Sequence, residues 1–337
     1  MLKNSLLGII RMSFFSGKKV LLTGAAGFIG RNLLKRLVDE NVNVRAVLHQ
    51  RDLDIADPRI EYVRADLTMI SDCRRVVAGV DFVFHCAAST SGAAVIERTP
   101  LVHVTPNIVM NAQLLETAYQ AGVQKFLWIS SSTGYPDTGD RPVLESEMMQ
   151  GDPYEKYFYV GWMKRYSEIL CRIYGEKIKP SMTTIVLRPT NIYGEHDDFE
   201  PQTSHVFAAL VRKVVEHQDP LVVWGTGNDV RDLVYVGDFV DAMMISMEKV
   251  QGFDVFNIGS GIGYSVRDLL FRMMTIENSI HPCIVYDQSK PTMIPVRMVD
   301  TSKAKVMLGF SPSVGIDQGI HRTMTWYKSR NGSPHVS

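Results

Sequence analysis

The 337-residue sequence predicts an α/β protein: a doubly wound parallel sheet followed by a smaller mixed α/β lobe. Three observations carry the prediction. Short apolar runs alternate with amphipathic helical stretches through the first half of the chain. A glycine-punctuated turn joins the first run to the first helix. Beyond residue 189 the alternation loses its regularity, as expected where a second lobe is assembled.

The first unit is residues 18–30, KKVLLTGAAGFIG. Val20–Leu22 reads as a strand, and Phe28, Ile29, Leu33, Leu34 and Leu37 share one face of a helix over residues 28–38. Strand, glycine turn and helix in that order suit the pyrophosphate of a dinucleotide. Gly24 permits the tight turn, Gly27 lets the backbone approach the phosphates, and Gly30 lets the helix pack close to the strand. The helix N-terminus adds unpaired N–H groups and a partial positive charge.

Val42–Leu48 is the second strand. The residue closing such a strand selects the cofactor, a carboxylate bonding the ribose hydroxyls of NAD and basic groups accepting the extra phosphate of NADP. Here Leu48 runs into His49, Gln50 and Arg51 with no acid before Asp52, which favours NADP over NAD. The plainer reading of His49 and Arg51 is a solvated loop. Ile60–Val63 is a third strand leading to Ala65-Asp66-Leu67, where the aspartate faces an adenine. Val80–Cys86 is a fourth, and Ala87-Ala88 after it leaves room beside a cofactor.

Pro106 to Ala121 reads as a helix, and Phe126–Ile129 as a strand running into Ser130-Ser131-Ser132. Ligands of such a sheet bind at the C-terminal ends of the strands. Tyr154 to Tyr174 is a long helix, and Thr183–Arg188 a buried strand ended by Pro189. Then follow a helix (His205–Val215), a short strand (Leu221–Trp224), a turn and helix (Val234 to Val250), a strand (Asp254–Ile258) and a capped helix (Ser265 to Thr275). The expected division is an extension (1–17), a dinucleotide-binding domain (18–188) and a mainly substrate-binding lobe (189–337) with segments returning to the first domain. No repeat, low-complexity tract or long linker separates them, so they form one rigid body.

Composition narrows the function. Hydrophobic residues at 45% supply a core, and zero net charge argues against nucleic acid or an acidic membrane as partner. The run Leu6–Ile10 falls far short of the ~20 residues of a membrane span. No small-residue cleavage site follows it, so a signal peptide is not expected; Met12 is an alternative start, and residues 1–16 carry no assigned function. Cys73, Cys86, Cys171 and Cys283 form no C-x-x-C pair, which fits a reducing, cytoplasmic setting without structural zinc.

The motifs TGAAGFIG, ADL, HCAA, ISSSTGYP, a helix carrying Lys164, LRPTNIYG and VRDLVYVGD occur in this order across residues 18–310. That order resembles the extended short-chain dehydrogenase/reductases, the NAD-dependent epimerase/dehydratase family with a Rossmann-type sheet. The runs PTNIYGEHDDFEPQTSHV (189–206) and VVWGTGNDVRD (222–232) resemble its GDP-L-fucose synthase-like GDP-sugar members.

The resemblance implies a cofactor site of Gly24, Ala26, Gly27, Phe28, Ile29, His49, Arg51, Asp66, Leu67, Ala87, Lys164, Pro189 and Asn191. In it the glycines hold the pyrophosphate, Asp66 the adenine and Lys164 the nicotinamide ribose. It implies a substrate site of Ser132, Thr133, Asn191, His205, Trp224, Arg231 and Arg297, the two arginines contacting the nucleotide and its diphosphate. Ser131 takes the place of the hydroxyl that bonds the sugar oxygen at the reacting carbon, and His205 that of an acid acting at the sugar ring. The chemistry is consistent: hydride transfer at a sugar alcohol needs a proton handled at the same oxygen, and a diphosphate suits bidentate arginines. Each residue also has an ordinary reading. Ser131 would cap a strand end, His205 would lie on a surface helix, and Arg231 would pair with Asp229 or Asp232.

Two positions depart from the family. Its acid/base is a tyrosine four residues before the lysine, where the ammonium depresses the phenol pKa; here that residue is Val160. Three accounts are open: Tyr157 or Tyr159 reaches in through a local distortion; Ser131, His205 or water carries the proton; or turnover is lost. The retained Ser131, Lys164, His205, Arg231 and Arg297 favour the second. The other departure is Thr133, standing where fucose synthases place a cysteine for epimerisation.

The implied activity is an NAD(P)-dependent oxidoreductase acting at C4 of a nucleotide-activated, GDP-linked hexose or heptose. Its rivals are a sugar-nucleotide epimerase and a catalytically silent cofactor-binding sensor or scaffold. The resemblance further implies a homodimer, paired through the Lys164 helix and the helix at 106–121.

Overall fold

The computed structural model describes residues 14–90, 99, 101–278, 282–290 and 292–331. Seven parallel strands form the main sheet: β1 (Lys19–Thr23), β2 (Asn43–Leu48), β3 (Ile60–Arg64), β4 (Phe82–His85), β5 (Lys125–Ile129), β6 (Thr183–Pro189) and β10 (Phe253–Ile258). Their spatial order is β10-β6-β5-β4-β1-β2-β3. The order reverses between β1 and β4, which is where a doubly wound sheet opens a crevice. The fold class expected from the alternation is the one observed.

Alternation of side chains builds two apolar layers. Val20, Leu22, Leu127, Ile185 and Leu187 face α1 (Phe28–Asp39) and α6 (Val236–Lys249), whereas Leu21, Phe126, Trp128 and Val186 face the opposite layer. That second layer holds α2 (Ile70–Val77), α3 (Leu101–Gln120) and α4 (Phe158–Arg172). Lys125 is buried at the foot of β5, where its ammonium donates to the carbonyls of Met247, Glu248 and Val250 and so caps the C-terminus of α6.

The smaller lobe is mixed. β9 (Val230–Tyr235) lies between β11 (Gly263–Ser265) and β13 (Val296–Arg297), with β7 (Asn191–Tyr193) also paired to it; β8 (Leu221–Trp224) pairs with β12 (Ile284–Asp287). Helices α5 (Val206–Val215), α7 (Val266–Glu277) and α8 (Ile316–Asn331) pack on these strands around Phe207, Leu233, Leu269 and Met324. Among the described residues no helix is long and apolar enough to cross a membrane.

Four local expectations are corrected. The helix expected at 106–121 begins at Leu101, with Pro106 inside it. Proline lacks the N–H that would bond the carbonyl four residues back, and the Ser89 hydroxyl serves that carbonyl of Val102 instead, at 3.3 Å. The helix expected at 154–174 divides into a 3₁₀ turn (Glu155–Tyr157), α4, and a π turn (Ile173–Lys177). The stretch beginning at Val234 opens as the end of strand β9, not as a turn. Of the expected extension, residues 1–13 lie outside the described residues, but Phe14 and Phe15 are structural. Phe14 stacks on Phe82 with ring centroids 5.1 Å apart, and Phe15 is buried in the main core.

Candidate active site

A cavity of about 990 Å³ lies across the C-terminal ends of β1, β2, β4 and β5 and runs between the two lobes. At one end is the first turn. Gly24 has φ +66°, the left-handed region open to glycine. A Cβ on Gly30 would stand 2.1 Å from the Gly24 carbonyl oxygen, so that position is closed to any side chain. Gly27 is the N-cap of α1, without a side-chain cap and with no acid in the following turn. The N–H groups of the first turn of α1 and the helix dipole open onto the cavity beside Gly24, Ala26 and Phe28. A dinucleotide pyrophosphate fits this cradle on shape and charge.

Further along, Leu67, His49 and Arg51 line the wall, the last two exposed, and the Arg64 guanidinium bonds the His49 carbonyl at 2.9 Å. One Asp66 oxygen accepts from the Thr68 N–H and hydroxyl, at 2.9 and 2.7 Å, which holds its carboxyl pKa below the ordinary range. Its other oxygen makes no hydrogen bond among the described residues. Ala87, Ala88, Ser131, Ser132, Thr133 and Asn191 line the middle, and His205, Trp224, Arg231 and Arg297 the far end.

Beneath the middle runs a buried polar chain that the sequence reading missed. The Thr23 hydroxyl oxygen accepts from the Ala87 N–H (3.0 Å) and lies 2.7 Å from His85 Nδ1. His85 Nε2 lies 2.9 Å from Asn111 Oδ1, and Asn111 Nδ2 donates to Ser167 Oγ at 3.0 Å. Since the Asn111 oxygen only accepts, His85 carries its proton on Nε2 and takes one from Thr23 on Nδ1. Burial pushes the imidazole pKa down to about 4, so the ring is neutral and the chain ties β1, β4, α3 and α4 together.

Ser131, two residues beyond β5, caps a 3₁₀ turn (Ser132–Gly134), its oxygen accepting from the Thr133 N–H at 3.2 Å while its own proton is given to no acceptor among the described residues. Lys164 lies below the wall. Its ammonium donates to the Ile129 carbonyl at 3.0 Å and sits 4.8 Å from the centre of the Trp128 ring, and burial lowers its pKa to about 8. Val160 stands one turn before it, half-buried. His205 is the N-cap of α5 and turns its surface to the cavity; enclosure by the walls lowers its pKa, which the Asp198 carboxylate opposes. Arg231 pairs with Asp229 at 3.1 Å, while Asp232 is taken up by the N–H and hydroxyl of Ser260 and the N–H of Gly261.

Four expected site residues are not in the wall: Lys164, below it, and three others. Ile29 packs into the core, and Pro189 pairs with Ile258 in the sheet. Tyr159 is half exposed, edge-on to Phe158 at 5.7 Å, outside the cavity. Being inside α4, it points where helix periodicity sends it. Tyr157 differs: it is the N-cap of α4, at the end of a 3₁₀ turn, so the 100° helical rotation does not apply, and it lines the cavity. Sequence reasoning also passed over His196, Asp197 and Ser204, which line the wall with buried polar atoms that have no partner among the described residues. The acidic and polar run EHDDFEPQTSH between a glycine and a helix was the available signal.

The family model for the NAD dependent epimerase/dehydratase family matches residues 20–259. The chain belongs to that family. It is 26% identical over 328 residues to a GDP-L-fucose synthase of Escherichia coli K12, covering 93% of this chain and 97% of that one. Among solved structures it is similar to a UDP-glucose 4-epimerase from Thermotoga maritima, solved with UDP-glucose (27% identity, TM-score 0.80, 93% and 99% coverage). It is likewise similar to a UDP-glucuronic acid 4-epimerase from Bacillus cereus in complex with UDP-glucuronic acid and NAD (25% identity, TM-score 0.80, 93% and 99% coverage).

Proposed function

We propose that this family member is an oxidoreductase that uses NADP in preference to NAD and acts at C4 of a nucleotide-activated hexose or heptose, GDP-linked. What supports the reading is the cavity itself, whose wall includes an uncapped glycine turn, a free serine hydroxyl and two arginines in sequence. The bound nicotinamide supplies the two-electron chemistry. The residues His49 and Arg51, where a carboxylate would select NAD, support NADP.

In this reading Ser131 donates its free proton to the sugar oxygen at the reacting carbon. Lys164 orients the cofactor ribose, and its charge raises the polarity of that end of the cavity. Arg231 and Arg297 hold the diphosphate. His205, half-open to the cavity and with a lowered pKa, supplies or removes a proton at the ring. With Val160 four residues before Lys164, Ser131, His205 or water carries the proton that a phenol carries elsewhere, at a cost of about 10²–10⁴-fold in rate. The protein acts as a homodimer in the cytoplasm. An epimerase acting through His205 is the second reading, supported by likeness to solved 4-epimerases.

The test incubates the protein with GDP-hexoses and their 4-keto-6-deoxy forms, plus NADPH or NADH, and follows products by mass. A change of two mass units that vanishes in Ser131→Ala and Lys164→Ala is the expected result. Deuterium uptake from solvent without a mass change in protiated solvent, or conversion into an isomer of equal mass separated by chromatography, selects the epimerase. Neither signal, with cofactor still bound, leaves a silent sensor.

A further inference from the structure

We propose that Tyr157 is a third ligand of the substrate's diphosphate, standing with Arg231 and Arg297, and that it takes no part in proton transfer. The proposal deepens the nucleotide-sugar reading and rests on it.

The argument begins with the two arginines. β13 and β9 run parallel, and Arg297 is the register partner of Arg231. Register partners on adjacent strands leave the same face of the sheet, with backbones about 4.8 Å apart. Both side chains are buried, at 8% and 5% exposure. One carboxylate, Asp229, pairs with Arg231; among the described residues no acid pairs with Arg297. The Arg297 terminal nitrogens donate to the Pro136 carbonyl, and its buried Nε has no partner among the described residues. Two neighbouring buried guanidiniums share one directly paired carboxylate, with Asp137 acting on Arg297 only at longer range, which leaves a cation in excess. Burying such a charge is costly unless an anion joins it.

Tyr157 belongs to this cluster. It shares the cavity wall with Asp229, Arg231 and Arg297. The ammonium of its neighbour Lys156 bonds the Thr292 carbonyl, which ties the 3₁₀ turn to the segment that leads into β13. Burial raises the phenol pKa, against the opposing pull of the Arg231 and Arg297 guanidiniums, so the hydroxyl keeps its proton. Its hydroxyl makes no hydrogen bond among the described residues, so its proton is available to a ligand. A phenol O–H beside two guanidiniums adds a neutral donor to a site that already holds two positive ones. Such a donor fits a doubly charged phosphoryl chain.

The same placement removes Tyr157 from the chemistry. Lys164 lies seven residues on, roughly 10 Å along the helix axis, bonded to Ile129 at the end of β5. A phenol held against the diphosphate cannot also reach an oxygen beside that ammonium. The residue absent at Val160 is therefore not replaced from position 157.

The experiment is calorimetric titration of the full-length, NADP-loaded protein with GDP, UDP and guanosine. Tyr157→Phe keeps the ring and removes the hydroxyl. A hydrogen bond to a charged partner implies roughly 10- to 100-fold weaker binding of the nucleoside diphosphate. Guanosine, lacking phosphate, binds wild type and variant alike, NADP affinity is unchanged, and with a turned-over nucleotide sugar the loss falls on KM. Nucleoside diphosphate binding equal to wild type overturns the role of Tyr157 and leaves the function standing, as does a collapse of kcat with binding intact. A wild-type protein that binds neither GDP nor UDP overturns both.

Discussion

Arg188 grips Glu168 in a buried two-pronged ion pair, Nη2 to Oε2 at 2.5 Å and Nε to Oε1 at 2.9 Å, one helical turn beyond Lys164. Arg188 lies in β6, one residue before its end, and also donates to the Tyr135 hydroxyl at 2.7 Å, which in turn donates to Asn257 Oδ1 at 2.6 Å. Through this network α4 is pinned to β6 and β10, and the azimuth of α4 sets where Lys164 and Tyr157 emerge. Removing one partner of a buried pair leaves the other charge unpaired, which costs about 3–5 kcal/mol. Glu168→Ala is therefore expected to lower the unfolding free energy by that amount in a denaturant titration. An unchanged midpoint would show that the pair carries no net stability.

Val160 presents a position where a tyrosine is expected to increase activity. In α4 the residue four before Lys164 shares its face, so a phenol there meets the ammonium that lowers its pKa. If the proton now travels through Ser131, His205 or water, Val160→Tyr raises kcat by about 10²-fold or more. Single-turnover kinetics checks this at saturating substrate. A rate equal to or below wild type would mean that proton transfer is already efficient without a phenol.

Asp197 gives stability a definite pH slope. One oxygen accepts from the Asp198 N–H at 2.7 Å, the other is buried without a donor, and burial raises the carboxyl pKa to about 7. An unfolded aspartate titrates near 3.9, roughly three units lower. Between those values the folded state holds a proton that the unfolded chain has lost, so this group favours folding at low pH and its contribution falls as pH rises toward 7. Asp197→Asn removes the slope. Relative to wild type, the variant is expected to gain stability between pH 5 and pH 8 in urea unfolding. A constant difference across that range would place the carboxyl near its ordinary pKa.

Most of the main sheet was legible because its signals are local. The run before Gly24, the alternation through Val83 and Phe126, and the turn residues between them each specify their own element. The smaller lobe was less so. β7, β11 and β13 are two or three residues long and exist through pairing with β9, which no window of sequence reveals. The misjudged ends have the same origin: Leu101–Thr105 is helical because Ser89 serves the carbonyl that Pro106 cannot, a partner distant in sequence. At the site, residues carried by glycine and strand-end motifs fall on one cavity wall. Tyr157 and Asp197 were hidden for another reason, since their directions depend on a 3₁₀ turn and an irregular loop where no periodicity applies.

The outer face of α4 offers a test of the proposed homodimer. Phe158, Trp162, Tyr166 and Ile169 follow helical spacing and are each 40–50% exposed, with Leu101 and Val102 at the start of α3 also exposed. An apolar stripe of this kind on a surface helix suits an interaction site, and in the proposed homodimer two copies of it, related by a two-fold axis, would bury each other. Trp162→Glu with Tyr166→Glu places two negative charges opposite their own symmetry mates. Sedimentation is expected to show a dimer for wild type and a monomer for the double variant, with the melting temperature lowered because the folded dimer loses its mass-action stabilisation. A wild-type monomer at micromolar concentration would leave the stripe unpaired by its own kind. The cavity should persist in the monomeric variant, since no residue of the stripe lines it. Cofactor affinity is thus the control that separates lost pairing from lost folding.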